Sequence, residues 1–260
     1  MKIVVLVKYV PDATGERTFT GDGTVDREAG SGLLSELDEY ALEQALQIAD
    51  AGDDVEVVAL TLGPDDAAAA IKRALQMGAS AGIHITDEAV HGTDALGTST
   101  VLAAAVTKAA PDLVLCGMAS TDASMGVVPT LVAERLGWPG LTLGASLEVD
   151  GRVVRIRRDD DTASLTVEAE LPAVVSITDQ SGEARYPSMR GILAAKKKPV
   201  QTWSLADLGV DPADVGLSAA WTRVLGTTPR PPKEAGRVVA DQDGAGAAAL
   251  VEFLAAGKYI

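Results

Sequence analysis

The sequence predicts an α/β protein, a doubly wound and mostly parallel sheet followed by an extended C-terminal arm and helix. Three observations predict it: short β-branched runs without alternation, amphipathic stretches between them, and Gly or Pro at the joints. Ile3 to Val7 sits between Lys2 and Lys8 with Pro11 beyond, too short for a helix, and reads as a buried parallel strand. Asp38 to Ala51 puts Leu42, Ala45, Leu46 and Ala49 on one stripe, and Gly52 ends it, as expected of a crossover helix. Val55 to Leu62 returns as a strand. Gly63-Pro64-Asp65-Asp66 turns the chain into a helix over Ala67 to Met77 that stops at Gly78. Gly82 to Thr86, Thr98 to Ala110 and Asp112 to Cys116 repeat the alternation, and Thr130 to Leu136 follows as a helix. Right-handed crossovers make such a sheet parallel.

Beyond Leu136 the pattern changes. Leu147 to Val154 reads as a hairpin around Asp150-Gly151, Ser164 to Ala169 alternates like an antiparallel strand, and Val174 to Thr178 is one more buried strand. From Pro199 to Lys233 prolines and short apolar clusters dominate, the composition of an arm, and Asp243 to Ala256 regains helical spacing. The expected division is a domain over 1–198 and an arm over 199–260 that needs another surface, such as a partner chain, to pack on.

The chain has 260 residues, 47% of them hydrophobic, and a formal net charge of -15. That acidity disfavours nucleic acid and anionic membranes as partners. Cys116 is the one cysteine, the start is not of signal-peptide type, and no run approaches the roughly 18 apolar residues of a membrane span, so a reducing cytoplasm is expected, without membrane insertion. No catalytic set emerges: His84, His91 and Cys116 lack metal-ligand spacing, and Asp159, Asp160 and Asp161 after Arg157 and Arg158 read as a charge-balanced turn. There is no nucleophile elbow, Walker lysine or complete GxGxxG. Neither catalytic residues nor a metal are expected.

Two regions hold functional promise. Loops after the strands Ile3 to Val7, Val57 to Leu62 and Leu113 to Cys116 open at the carboxyl edge of the sheet, where open α/β sheets bind ligands. The third, Gly117 to Pro129, has glycines, hydroxyls and Asp122 before a helix and suits either an ordinary turn or a phosphate cradle. The second region is Ala184 to Pro199, ARYPSMRGILAAKKKP, in which Arg185 and Tyr186 anchor the start and Ser188 caps a short helix carrying Met189, Ile192 and Leu193. An exposed Met suits a partner's pocket, a buried one the core, and Lys196 to Lys198 suit either an acidic partner or solvent.

Together, IVVLVKYVPD, LDEYALEQAL, IKRALQMGA, the Gly117 to Pro129 loop, LPAVVSIT and ARYPSMRGILAAKKKP resemble the beta subunits of electron transfer flavoproteins over nearly the whole chain. The resemblance implies an adenine nucleotide alpha hydrolase-like fold and a non-catalytic electron carrier that acts in fatty acid beta-oxidation. It implies one structural AMP in this chain and FAD held mainly by an alpha subunit. Its further partners are acyl-CoA dehydrogenases and a downstream quinone oxidoreductase. The AMP pocket falls on Leu6, Val7, Ser35, Leu62, Gly63, Gly117, Asp122, Met125, Gly126, Val127 and Val128, and the docking loop on Tyr186, Met189, Ile192, Leu193, Lys196 and Lys197. Arg158 and Asp159 fall on an interdomain Arg-acid pair. Ser35-Glu36 replaces the family's frequent Asn-Pro and Val127 its frequent Gln, removing side-chain hydrogen bonds to the nucleotide. The alternatives are a bifurcating flavoprotein subunit with FAD in the AMP site and a free-standing adenine-nucleotide-binding module.

Overall fold

The structure is a computed structural model that describes residues 1–15, 17–27, 30–228, 231, 236, 238–241 and 244–260. Lys233 and Asp243, the expected end of the arm's Pro-rich stretch and start of its helix, lie outside the described residues. The chain forms two units, Met1–Leu225 and Gly226–Ile260.

In the first unit the order is β1 (Lys2–Leu6), β2 (Tyr9–Pro11), β3 (Gly32–Leu34), α1 (Glu36–Ala51), β4 (Glu56–Leu62), α2 (Ala68–Met77), β5 (Ala81–Ile85), α3 (Ala95–Ala109), β6 (Leu113–Gly117) and α4 (Val128–Leu136). There follow β7 (Gly140–Gly144), β8 (Ser146–Asp150), β9 (Val153–Asp159), β10 (Ser164–Glu170), β11 (Ala173–Ile177), α5 (Met189–Ala195), β12 (Val200–Trp203), α6 (Leu205–Leu208) and α7 (Gly216–Ala219). The central sheet runs β12-β5-β4-β1-β6-β11-β7 with every neighbouring pair parallel, so the doubly wound architecture is as expected. β8, β9 and β10 form a separate antiparallel sheet, with the hairpin turn at Gly151 as the sequence predicts.

Alternation along the strands separates two cores. Ile3, Val5, Val57, Ala59, Leu113 and Leu115 pack with Leu42 and Leu46 of α1 and Ile71 and Leu75 of α2. Val4, Leu6, Val58, Leu60, Val114 and Cys116 pack on the other face with Val101 and Val106 of α3 and Val132 of α4. Because both faces are covered, the strands are nearly continuous apolar runs. α3 begins at Ala95, ahead of the expected Thr98, because Asp94 Oδ1 accepts from the N–H groups of Leu96 and Gly97 at 3.0 and 3.1 Å.

Residues 199–225 differ from the expected arm. Val200–Trp203 pairs in parallel with β5 as an edge strand, and Leu205, Val210 and Val215 are buried in the second core. Four residues between a proline and a capped turn were too few for periodicity to reveal the strand, which pairing with β5 stabilises. Ser204 and Asp207 form a reciprocal capping box that ends it. In the second unit α8 (Ala245–Ala256) follows Gly244, and the Phe253 and Tyr259 rings lie 6.4 Å apart.

Leu205 is wholly buried. Leu205→Ala is therefore expected to cost about 2–5 kcal/mol in urea unfolding, as a core truncation does, whereas truncation in a solvated arm leaves the midpoint unchanged.

Candidate functional site

The loops leaving β1 and β6 diverge to opposite faces of the sheet, to α1 and α4, and the gap between adjacent strand ends is the switch point at which this fold class holds ligands. Asp38, in the first turn of α1, joins the two ends. Its Oδ2 accepts from Lys8 N at 2.8 Å and its Oδ1 from Gly117 N at 3.2 Å. Gly117 has to be glycine here, since a Cβ would lie 2.6 Å from Asp38 Oδ1 and 2.7 Å from the Leu37 backbone. Burial raises the Asp38 pKa to about 7, opposed by the two backbone N–H bonds and the Lys8 charge and aided by the Asp122 charge.

Asp122 is the second carboxylate of this edge and behaves oppositely. Burial raises its pKa, but the charge of Lys8 and hydrogen bonds from Ser120, Lys8 and Arg27 outweigh it and hold the group well below the usual carboxylate range. Lys8 Nζ and Arg27 Nη2 each lie 2.9 Å from one of its oxygens. Arg17 donates to the carbonyls of Thr121 and Asp122 at 2.6 and 2.9 Å. Residues 17–27, bridged at Phe19 and Val25, thus latch onto the β6–α4 loop, and at Gly23 their tip turns with Asp22 Oδ2 2.8 Å from His91 Nε2.

Most of the expected nucleotide residues gather on this edge. Leu6, Val7, Ser35 and Gly117 are buried and serve the scaffold: Val7 N donates to Leu60 O, and Ser35 Oγ accepts from Thr121 N at 3.3 Å instead of capping α1. Leu62 and Gly63 end β4 beside β5, where Gly63 N donates to Ile85 O and the buried His84 reaches the carbonyls of Gly63 and Pro64 at 3.2 and 3.1 Å. Met125, Gly126 and Val127 are exposed, Val128 partly so, and Gly126 takes a left-handed φ of 67°. α4 starts without a side-chain cap or an acidic residue in its first turn, and Pro129 has no N–H to satisfy. The N–H groups of Val128 and Thr130 therefore have no acceptor among the described residues at the positive end of a helix, a donor set that fits a phosphate.

The docking segment is fixed at both ends and apolar between. Arg185 grips Glu43 with Nε at 2.7 Å and Nη2 at 3.0 Å, reaches Asp50 at 2.9 Å, and its backbone N–H also donates to Glu43. Lys198 Nζ caps the end of α2 through the carbonyls of Leu75 and Gly78 at 2.9 and 3.2 Å, so one of the three lysines points inward. Ser188 caps α5 by accepting from Gly191 N at 3.0 Å, as expected. Tyr186, Met189 and Leu193 are 88%, 75% and 61% exposed, Ile192 is half-buried, and Lys196 and Lys197 are exposed. Tyr186 does not anchor the segment as expected, because its ring stands in solvent while Arg185, with Ala184 packed against the core, holds that end.

Arg158 and Asp159 do not pair with each other. Arg158 turns to β7, donating to Thr142 O and Oγ1 at 2.8 and 3.2 Å, while Asp159 accepts from Arg157 at 3.0 Å, since adjacent strand residues point to opposite faces. Asp160 organises the following turn by accepting from Thr162 N and Ala163 N. Cys116 is buried, its Sγ donates to Val175 O, and burial with the Asp38 charge pushes its thiol pKa far up, the character of a packed side chain. Among the described residues no group of acidic, His and Cys side chains suits a metal, and no helix is long and apolar enough to cross a membrane.

Sequence reasoning missed Lys8, Arg17, Arg27 and Asp38. Acidic residues in a first helical turn ordinarily complement the helix dipole in solvent, and nothing in spacing marks Asp38 as the buried one.

The fold and its edge define a doubly wound α/β protein with an uncapped helix start at its switch point and a short helix, α5, packed on α2 with its apolar tip exposed. The electron transfer flavoprotein domain matches residues 22–208. Electron transfer flavoprotein subunit beta of Mycobacterium bovis is 44% identical over 99% of both chains, and that of Mycobacterium leprae 45% over 99% of both. The caffeyl-CoA reductase-Etf complex subunit CarD of Acetobacterium woodii is 31% identical over 92% of both. The chain belongs to the electron transfer flavoprotein beta-subunit family, and its role lies in electron transfer.

The Asp38 carboxyl, raised to about 7, stays protonated in the folded chain at pH values where the unfolded chain, with an ordinary value of about 3.9, has ionised. Its contribution is full below about pH 4 and declines as pH rises to about 7, by up to roughly 4 kcal/mol. Stability curves for wild type and Asp38→Asn are therefore expected to converge with rising pH in that window. Parallel curves would mean that the group keeps an ordinary pKa.

Proposed function

We propose that the chain is the beta half of a heterodimeric, cytoplasmic electron transfer flavoprotein that keeps one structural AMP at the β1–β6 switch point and docks acyl-CoA and related dehydrogenases through α5. FAD, held mainly by the alpha subunit, supplies the redox chemistry and passes electrons onward to a quinone oxidoreductase. This chain supplies no catalytic residue. The observation that carries the reading is Met189, which stands 75% exposed on a helix pinned by Arg185 and Lys198. A large apolar side chain held rigidly in solvent is organised for a partner's pocket, because little side-chain and loop ordering is left to oppose binding.

The AMP reading draws on the uncapped start of α4 and the left-handed Gly126, which leave backbone N–H groups for the phosphate. With Ser35 Oγ engaged by Thr121 and no amide at Val127, nucleotide recognition falls to the backbone of the 117–128 loop, beside the apolar faces of Met125 and Val127. Asp122, neutralised by Lys8 and Arg27, holds that loop instead of repelling the phosphate. The second unit, whose α8 is apolar nearly all round with Glu252 as its one charge, suits wrapping the alpha subunit. Arg158, tied to Thr142, serves the β7–β9 contact in preference to an interdomain pair.

The relative that belongs to a caffeyl-CoA reductase-Etf complex supports a second reading, in which FAD replaces AMP and the heterodimer bifurcates electrons. Met125 and Val127 offer such a ring system few hydrogen bonds, so AMP is preferred.

Nucleotides released from the purified, denatured heterodimer and identified by chromatography and mass spectrometry are expected to be one FAD and one AMP. Two FAD without AMP means the bifurcating type, and a chain that forms no complex with the alpha subunit means a free-standing nucleotide module. Met189→Ala is expected to weaken dehydrogenase binding by about 2 kcal/mol, roughly 30-fold, and Met189→Glu by more, with AMP content unchanged. Electron transfer kinetics at wild-type rates in both variants would refute docking through Met189.

A further inference from the structure

Beside the docking helix lies a groove of about 390 Å³ between α2, α5 and the edge strand β12. Ile192 and Val200 give it accessible apolar surface above the buried Ile71 and Leu75, and Lys72 and Lys196 stand on its rim. Its walls are rigid. Gly191 brings α5 against α2 so closely that a Cβ would lie 2.4 Å from Gln76 O, Lys198 caps α2 at 2.9 Å, and Arg73 pairs with Glu39 of α1 at 2.8 Å.

The charges around it are unusual for this chain. Lys8, Arg27, Arg73, Arg155, Arg157 and Arg185 are each matched to a carboxylate. Among the described residues six cations have neither an ion-pair nor a hydrogen-bond partner for the side chain, and four of them, Lys72, Arg190, Lys196 and Lys197, lie on α2 or in and just after α5, the others being Arg223 and Lys258. On a protein of net charge -15, two unmatched lysines on the rim, Lys72 and Lys196, with Arg190 and Lys197 on or next to α5, create a local field opposite to that of the whole.

We infer that this groove receives an acidic, amphipathic segment of the dehydrogenase partner, its apolar side chains over Ile192 and Val200 and its carboxylates against Lys72 and Lys196. The inference rests on the docking reading and extends the contact from the Met189 tip to α2. Nucleic acid and anionic lipid match the lysines alone, and the surrounding negative charge repels both. A protein segment that joins carboxylates to apolar side chains matches rim and floor together. The lysines steer encounter, and the groove and Met189 set the residence time.

The test uses the complete heterodimer with FAD bound and an acyl-CoA dehydrogenase of the same organism, with association and dissociation rates measured at low and at physiological salt. Lys72→Gln and Lys196→Gln are each expected to slow association about 2–5-fold at low salt and to flatten its salt dependence. Ala68→Trp, which fills the groove from an exposed position, is expected to speed dissociation. Thr166→Glu, an equal change of net charge on the exposed face of β10, is expected to leave both rates unchanged, and all variants to keep wild-type melting and FAD content. Wild-type rates and salt dependence for the groove variants, with binding abolished by Met189→Glu, overturn the groove and leave docking through α5 standing. If Met189→Glu also binds normally, the docking reading falls with it. An effect of Thr166→Glu equal to that of Lys72→Gln overturns the inference by reducing it to net charge.

Discussion

Asp38 holds together the sheet edge on which the proposed nucleotide site depends. The β1 and β6 strands end side by side, each leaving a backbone N–H at the divide between the two faces, and one carboxylate accepts from both. A buried donor without a partner costs on the order of 1–3 kcal/mol, so a single side chain satisfies two such groups and fixes the separation of the strand ends. The same bridge sets the start of α1, closes the space over Gly117 and positions the loop that carries Asp122. The carboxyl is strained between two demands: its hydrogen-bonding geometry favours the ionised form, and its burial favours the neutral one.

The two carboxylates of the edge show how context divides one residue type into two roles. Asp38 meets backbone dipoles and a distant share of the Lys8 charge, and burial prevails. Asp122 meets Lys8 and Arg27 directly, and pairing prevails. The outcome is an edge whose acidic groups are protonated or neutralised, while the start of α4 keeps its positive end uncompensated. That arrangement suits the nucleotide phosphate proposed for it, on a chain otherwise hostile to an anion.

A similar division runs through the basic residues. Arg185 and Lys198 spend their charge internally, on Glu43, Asp50 and the carbonyl end of α2, and so keep α5 in place. Lys72, Arg190, Lys196 and Lys197 spend none. Internal pairing and the proposed docking thereby fall to different members of the run Lys196 to Lys198, and Arg185 and Lys198 together hold the seven-residue α5 with Met189 exposed.

Much of this was legible in the sequence. Apolar runs and stripes located β1, β4, β5, β6 and β11 and the helices between them, because burial on one or both faces imposes a period that composition records. The Ser188 cap, the Asp150-Gly151 turn and the docking segment were legible for a related reason: caps, turns and exposed anchors depend on near neighbours. Only the tertiary structure decided which acidic residue of the first turn of α1 is buried, that Lys198 turns inward while Lys196 does not, that Arg158 reaches Thr142 instead of Asp159, and that Val200–Trp203 completes the sheet. Each of those depends on a residue distant in the chain, at Lys8 and Gly117, at Leu75 and Gly78, at Thr142, and along β5. A local pattern carries the energy of local contacts, and partners brought together by the fold leave no period in the sequence to read.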